Sequence, residues 1–225
     1  MSPIGCFIFD LDGTLVDTET IANESWKKAE ERLSFKMDEK VLFGMKGANH
    51  ASAKIVFDSF YQTHPTFEEA RLARDYFFNK RLDEAPIPLL PGVKETLTYL
   101  KEHDIDMAIA SSSRRRYVEF VTTSTGIRKY FSSLVCGDEI KESKPNPAIF
   151  EAARNMAHME VNECAVVEDS INGVKAGRNG SFLVIGIPNA IPFDEETSAH
   201  CDYVFLSMFE MLEAIKDGRI PLLKK

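Results

Sequence analysis

The apolar positions of this chain follow three regimes. Residues 6–9, Cys-Phe-Ile-Phe, form an unbroken apolar run, as expected of a parallel strand buried on both faces. From 18 to 82 the spacing is helical throughout. Ala22, Trp26, Ala29 and Leu33 recur at i, i+4, i+7 and i+11, one face of an amphipathic helix. A second helix is predicted over 51–61 and a third over 67–82, with Phe67, Ala70, Ala73 and Phe77 along one side. Residues 85–92, Ala-Pro-Ile-Pro-Leu-Leu-Pro-Gly, cannot continue a helix, because proline lacks the amide donor. Beyond them strands and helices alternate. Strands are predicted at 106–110, 133–136, 164–167, 182–187 and 203–206. Helices are predicted at 93–102 (Val93, Leu97 and Leu100 on one face), 114–124, 147–158, 171–179 and 207–216. Such alternation implies an α/β fold, a doubly wound parallel sheet with helices on both faces. The helical block after the first strand is then an insertion, expected to lie over the sheet's carboxyl edge as a lid.

Composition narrows the partners. The 225 residues leave room for one α/β domain and a smaller insertion. The net charge is −8 and no Lys/Arg block occurs, which argues against nucleic acid or an anionic membrane surface as partner. No run approaches the ~20 apolar residues of a membrane span. The opening Met-Ser-Pro-Ile-Gly has neither a basic start nor a long apolar stretch, so a cytoplasmic protein is expected, and a monomer. The four cysteines form no C-x-x-C pair, and three lie in or beside strand-like runs, which predicts buried reduced thiols.

The candidate chemistry gathers at strand ends. Asp10 and Asp12 directly follow the first strand, with Gly13 permitting a sharp turn. Open α/β sheets place their ligands at this edge. Crowded carboxylates raise one another's pKa, so a cation is needed to neutralise them; Mg²⁺ suits oxygen donors and couples to phosphate. Strand 106–110 runs into Ser111, Ser112 and Ser113 at a helix start, where backbone N–H groups attract anions. Strand 164–167 runs into Glu168 and Asp169, and Lys144 sits in a Ser-Lys-Pro-Asn-Pro loop. Each has a plainer reading alone: a helix cap, a pair of acids favouring a helix dipole, a solvated lysine. Together they put two acid pairs, hydroxyls and an amine on one edge of one sheet.

These motifs resemble the haloacid dehalogenase (HAD) superfamily, in its subgroup with a helical cap inserted after the first motif. Its D-x-D-G-[TV] motif is met by Asp10-Leu-Asp12-Gly13-Thr14, its Ser/Thr motif by Ser111, its Lys motif by Lys144 and its acidic motif by Glu168-Asp169. The resemblance implies a Rossmann-like core of residues 1–16 and 89–225 and a cap of residues 17–88. It also implies a catalytic pair. Asp10 would be the nucleophile, forming an aspartyl phosphate, and Asp12 the general acid and then base. Mg²⁺ would be held by the Asp10 side chain, the Asp12 carbonyl, Glu168 and Asp169, while Ser111, Ser112 and Lys144 would bind phosphate. The second Asp argues against halide chemistry, whose leaving group needs no proton. Residues 43–47, Phe-Gly-Met-Lys-Gly, resemble the specificity loop of β-phosphoglucomutase and its phosphatase relatives. In the mutase an Arg, a His and a Lys of the cap support the bisphosphate intermediate; His50, Ala22 and Tyr76 stand at those places here. The expectation is therefore a Mg²⁺-dependent phosphatase of a small phosphorylated metabolite, with Lys46, His50 and Arg114 as candidate substrate contacts. A sugar-phosphate mutase and a non-catalytic phosphometabolite-binding protein are the alternatives.

Overall fold

The computed structural model describes residues 2–45 and 50–223, and at residues 50 and 51 the backbone path. Two compact units emerge: Met1–Asp17 with Pro88–Lys225, and Thr18–Ile87.

In the first unit, six parallel strands form one sheet among the described residues: β1 (Cys6–Phe9), β2 (Asp106–Ser111), β3 (Ser133–Cys136), β4 (Cys164–Glu168), β5 (Leu183–Gly186) and β6 (Tyr203–Val204). Their order is β3-β2-β1-β4-β5-β6. The chain winds outward from β1 through β2 to β3, then crosses to β4 on the other side. That reversal puts the topological switch point beside β1, where doubly wound sheets bind their ligands. Among the described residues, five helices of nine residues or more belong to the crossovers and flanks: α5 (Val93–Glu102), α6 (Arg115–Ser124), α7 (Ala148–Ala157), α8 (Ile171–Asn179) and α10 (Met208–Lys216).

Strand alternation sends successive residues to opposite faces. Cys6, Ile8, Ala108, Ala110, Val135, Cys164 and Val166 join Ile149, Phe150 and Ala153 of α7 in one core layer. Phe7 and Phe9 occupy the other face, where Phe9 meets Phe131 edge-on at 6.1 Å. Cys6 and Cys164 face each other in register, and all four cysteines are free thiols.

The second unit is helical among the described residues: α1 (Thr18–Leu33), α2 (Glu39–Met45), α3 (His50–Phe60) and α4 (Phe67–Glu84). Trp26 and Ala29 of α1 and Phe67, Ala70 and Ala73 of α4, which the helical spacing marked, pack with Val41 and Phe57, which it did not. Helix α4 starts on a reciprocal capping box, in which the Thr66 hydroxyl accepts from the Glu69 amide and the Glu69 carboxylate accepts from the Thr66 amide. The two linker strands meet inside the first unit. Asp17 N–H donates to the Pro88 carbonyl (2.9 Å), and Leu90 N–H donates to that of Leu15 (3.0 Å).

Among the described residues, two α-helices escape the sequence reading. Helix α2 has seven residues and a single buried side chain, Val41, too little to establish a period. Helix α9 (Glu195–Ala199) is one turn, begun by Asp194 accepting from the Thr197 amide at 2.7 Å. Strand β6 is also shorter than the predicted 203–206. Leu206 N–H donates to the Glu210 carboxylate (2.8 Å), so the backbone leaves the sheet to begin α10.

Phe150 is fully buried, packs edge-on against Phe182 at 6.1 Å, and lies beneath the Lys144 ammonium at 4.8 Å. Phe150→Ala should therefore cost about 3–5 kcal/mol in urea unfolding. A loss below about 1 kcal/mol would show that α7 does not anchor this layer.

Candidate active site

The register of the central strands brings the chemistry to one edge. Phe9 pairs with Ile109 and with Val167, so Asp10 stands level with Ala110 and with Glu168, the last residue of β4. Asp10 N–H donates to the Val167 carbonyl at 3.0 Å, extending the ladder by one bond. Ser111 ends β2 and is buried.

Lys144 reaches this edge from the loop between β3 and α7. Its ammonium donates to Asp10 Oδ1 at 2.5 Å, to Glu168 Oε1 at 2.7 Å and to the Ala110 carbonyl at 3.1 Å. All three partners are needed, because a buried ammonium without acceptors is costly. Glu168, expected as a metal ligand, has its second oxygen engaged too: Oε2 accepts from the amide and hydroxyl of Ser170, each at 2.9 Å. Ser170 also starts α8 by accepting from the Gly173 amide at 3.1 Å. A Cβ on Gly173 would fall 1.8 Å from Glu168 Oε1, so the helix approaches the carboxylate only because glycine stands there.

Asp12 lies in the turn after β1. Its Oδ1 accepts from the Tyr117 hydroxyl at 2.8 Å and its Oδ2 from the Ser113 hydroxyl at 2.9 Å. Ser113 N–H in turn donates to Ser111 Oγ at 3.1 Å. Gly13 adopts φ +86°, and a Cβ there would fall 2.2 Å from Asp169 Oδ2. The turn thus needs glycine for its conformation and for the close approach. Thr14 donates to Asp169 Oδ1 at 3.2 Å, and the Asn189 side chain donates to the Gly13 carbonyl at 3.1 Å.

The electrostatics are unbalanced. Burial, together with the Glu168 and Asp12 charges, pushes the Asp10 carboxyl up to about 7 despite the opposing pull of Lys144. Burial, then Glu168 and Asp10, holds Asp169 well above the usual carboxylate range. Burial would lower the Lys144 ammonium, but Asp10 and Glu168 outweigh it and raise it. One ammonium therefore faces more buried carboxylates than it can neutralise. Among the described residues, no three His, Cys, Asp or Glu groups are already gathered as a metal cage. The oxygen-only donors Asp10 and Asp169, both held back from ionising by burial and by neighbouring carboxylates, fit a hard divalent cation.

The remaining expected residues are placed less centrally. Ser112 is exposed in the turn after β2, and Arg114 is exposed at the N-cap of α6. Its neighbour Arg115 is structural, bound to Glu139 and to the Leu134 carbonyl at 2.7 Å. Lys46 lies outside the described residues, as does the side chain of His50. Tyr117, Thr14, Ser170 and Asn189 were not singled out by the sequence reading. Thr14 lay within the recognised motif, whereas Tyr117 sits one turn into a helix with no pattern to mark it.

Residues 7–187 match the family of haloacid dehalogenase-like hydrolases. The chain belongs to this family. It is 28% identical, over 92% of its length, to a bifunctional riboflavin kinase/FMN phosphatase of Arabidopsis thaliana, of which it spans only 54%. It is 27% identical to the phosphorylated carbohydrates phosphatase of Thermotoga maritima, covering 82% of this chain and 85% of the relative. To the beta-phosphoglucomutase of Bacillus subtilis it is 28% identical, covering 82% and 84%. A crystal structure from Thermotoga maritima, provisionally identified as a beta-phosphoglucomutase, superposes with a TM-score of 0.80 at 23% identity, covering 95% of this chain and 99% of that one. At that identity the likeness is one of fold. Family membership and the phosphatase relatives support a phosphatase hydrolase.

The Asp10 carboxyl, raised to about 7, stays protonated in the metal-free fold where an unfolded carboxyl at its ordinary ~4 is ionised. Its contribution to stability is complete below the unfolded value and is lost as pH rises through about 7. In EDTA, urea unfolding should show stability falling from about pH 4 to about pH 7 more steeply in the wild type than in Asp10→Asn. Equal slopes would mean that burial does not hold Asp10 up.

Proposed function

We propose that this hydrolase is a Mg²⁺-dependent phosphatase that cleaves a small phosphate monoester, such as a sugar phosphate, through a covalent intermediate on Asp10. The observation that carries the reading is the Lys144 ammonium 2.5 Å from Asp10 Oδ1 at the sheet's switch point. A carboxylate held by a cation at that edge is a nucleophile that a phosphate dianion can approach.

The residues divide the work. An Asp10 oxygen attacks phosphorus as the ester oxygen leaves with a proton from Asp12. Asp12, now a carboxylate, takes a proton from water as the water oxygen attacks phosphorus, releasing inorganic phosphate and free Asp10. Lys144 orients Asp10 and carries charge that offsets the incoming phosphate. The Ser111 hydroxyl, accepting from the Ser113 amide, keeps its own proton to donate to a phosphoryl oxygen. Asp10, the Asp12 carbonyl and Asp169 would hold Mg²⁺, while Glu168 completes the charge set by fixing Lys144. The cation would supply charge neutralisation of the transferring phosphoryl group. The mutase reading is weaker because Ala22 and Tyr76 replace the imidazole and ammonium expected of such a cap.

Incubation with phosphorylated sugars, nucleotides and small acids should release phosphate with Mg²⁺. EDTA should abolish that release, and Asp10→Asn should lower it by at least about 10³-fold. Full activity of Asp10→Asn would overturn the mechanism. Interconversion of hexose phosphates on addition of a bisphosphate, without phosphate release, would favour the mutase.

Cation binding has its own readout. At a Mg²⁺ concentration about 100-fold above Kd the fold should gain about 2.7 kcal/mol, a Tm rise of roughly 5–10 °C. Asp169→Asn should remove most of that rise. An unchanged rise in the variant would place the ion elsewhere.

A further inference from the structure

We propose that Tyr117 is a positioning residue for the acid–base step, holding the Asp12 carboxylate in place through its hydroxyl. This rests on the functional reading above and adds to it a residue that the recognised motifs do not contain. The Tyr117 hydroxyl donates to Asp12 Oδ1 at 2.8 Å, and the Ser113 hydroxyl donates to Oδ2 at 2.9 Å. Both oxygens of one carboxylate are thus gripped from a single short segment, the turn after β2 and the first turn of α6.

Two donors constrain more than one. A carboxylate held at one oxygen still swings about its Cβ–Cγ bond, whereas donors at both oxygens fix the plane of the group. The segment supplying them is itself anchored. Ser113 N–H donates to Ser111 Oγ at 3.1 Å, Arg115 N–H donates to Asp138 Oδ1 at 3.0 Å, and Tyr117 N–H donates to the Arg114 carbonyl at 3.0 Å. Val118, next to Tyr117, is fully buried, so the helix cannot roll to carry the phenol away. The hydroxyl is therefore a fixed point against which Asp12 is aimed.

The consequence depends on the leaving group. When Asp10 attacks phosphorus and the P–O ester bond breaks, an alkoxide needs the Asp12 proton, whereas a nitrophenolate departs without one. In the second step the Asp12 carboxylate takes a proton from water for every substrate, because the phosphorylated Asp10 is the same in each case. Misaiming Asp12 should therefore lower kcat/KM for an alkyl ester and leave that for an aryl ester much less affected. It should lower kcat wherever hydrolysis of the intermediate limits turnover.

The test compares Tyr117→Phe with the wild type, with Mg²⁺, on p-nitrophenyl phosphate and on the best alkyl monoester from the substrate panel. The alkyl kcat/KM should fall about tenfold more than the aryl value, the scale of a misplaced catalytic group. Within Asp12→Asn the same substitution should change nothing further, since the group it aims is gone. Ser113→Ala, which removes the donor to the other oxygen, should show the same leaving-group pattern and serves if Tyr117→Phe folds poorly. Equal losses on both esters, a full Tyr117→Phe effect within Asp12→Asn, or no loss at all would overturn the proposal. A wild type that releases phosphate from no ester, or an Asp10→Asn variant that stays active, would instead overturn the underlying phosphatase reading.

Discussion

The Lys144 ammonium between Asp10 and Glu168 is the contact on which the edge of the sheet depends. It joins the ends of β1 and β4, takes the Ala110 carbonyl near the end of β2 as third acceptor, and rests over the ring of Phe150. Three strands and the loop before α7 are thereby tied through one buried charge. Such a pair holds geometry more than it adds stability, since desolvating the ions offsets much of their attraction. What it secures here is the placement of Asp10, a carboxylate that would otherwise be repelled by Glu168 and Asp12.

The same contact leaves the site short of positive charge. Lys144 is shared between two carboxylates, and the half-buried Asp169 beside them accepts from the Thr14 hydroxyl at 3.2 Å. Burial and mutual repulsion hold back the ionisation of Asp10 and Asp169. A site poised in this way favours a divalent cation and, with it, a phosphoryl group. Under the proposed function, this is how a protein of net charge −8 would hold an anion at its site.

Backbone approach makes the crowding possible. Gly13 and Gly173 stand where any side chain would collide with Asp169 and Glu168, so the turn after β1 and the first turn of α8 close directly onto the carboxylates. Ser170 joins both tasks, starting α8 and holding Glu168. Asp12 is held by Ser113 and Tyr117 instead, so the two groups assigned as nucleophile and acid–base under the proposed function are supported by different side chains.

The strand and helix pattern from residue 93 onward was legible in the sequence because burial on two faces, or on one helical stripe, leaves a local period. The same applies to Asp10, Ser111 and Glu168, which follow apolar runs directly and so mark strand ends. Helices α2 and α9 were not legible, being too short to show a period. Which residues stand at the carboxyl edge of a parallel sheet could be read from the chain alone, since strand length and alternation are local properties. That Lys144 bridges Asp10 and Glu168, and that Tyr117 grips Asp12, follows from how the strands are arranged in space. Those partners are 134, 24 and 105 residues apart, and contacts across such separations follow from strand order and register, which leave no period in the chain.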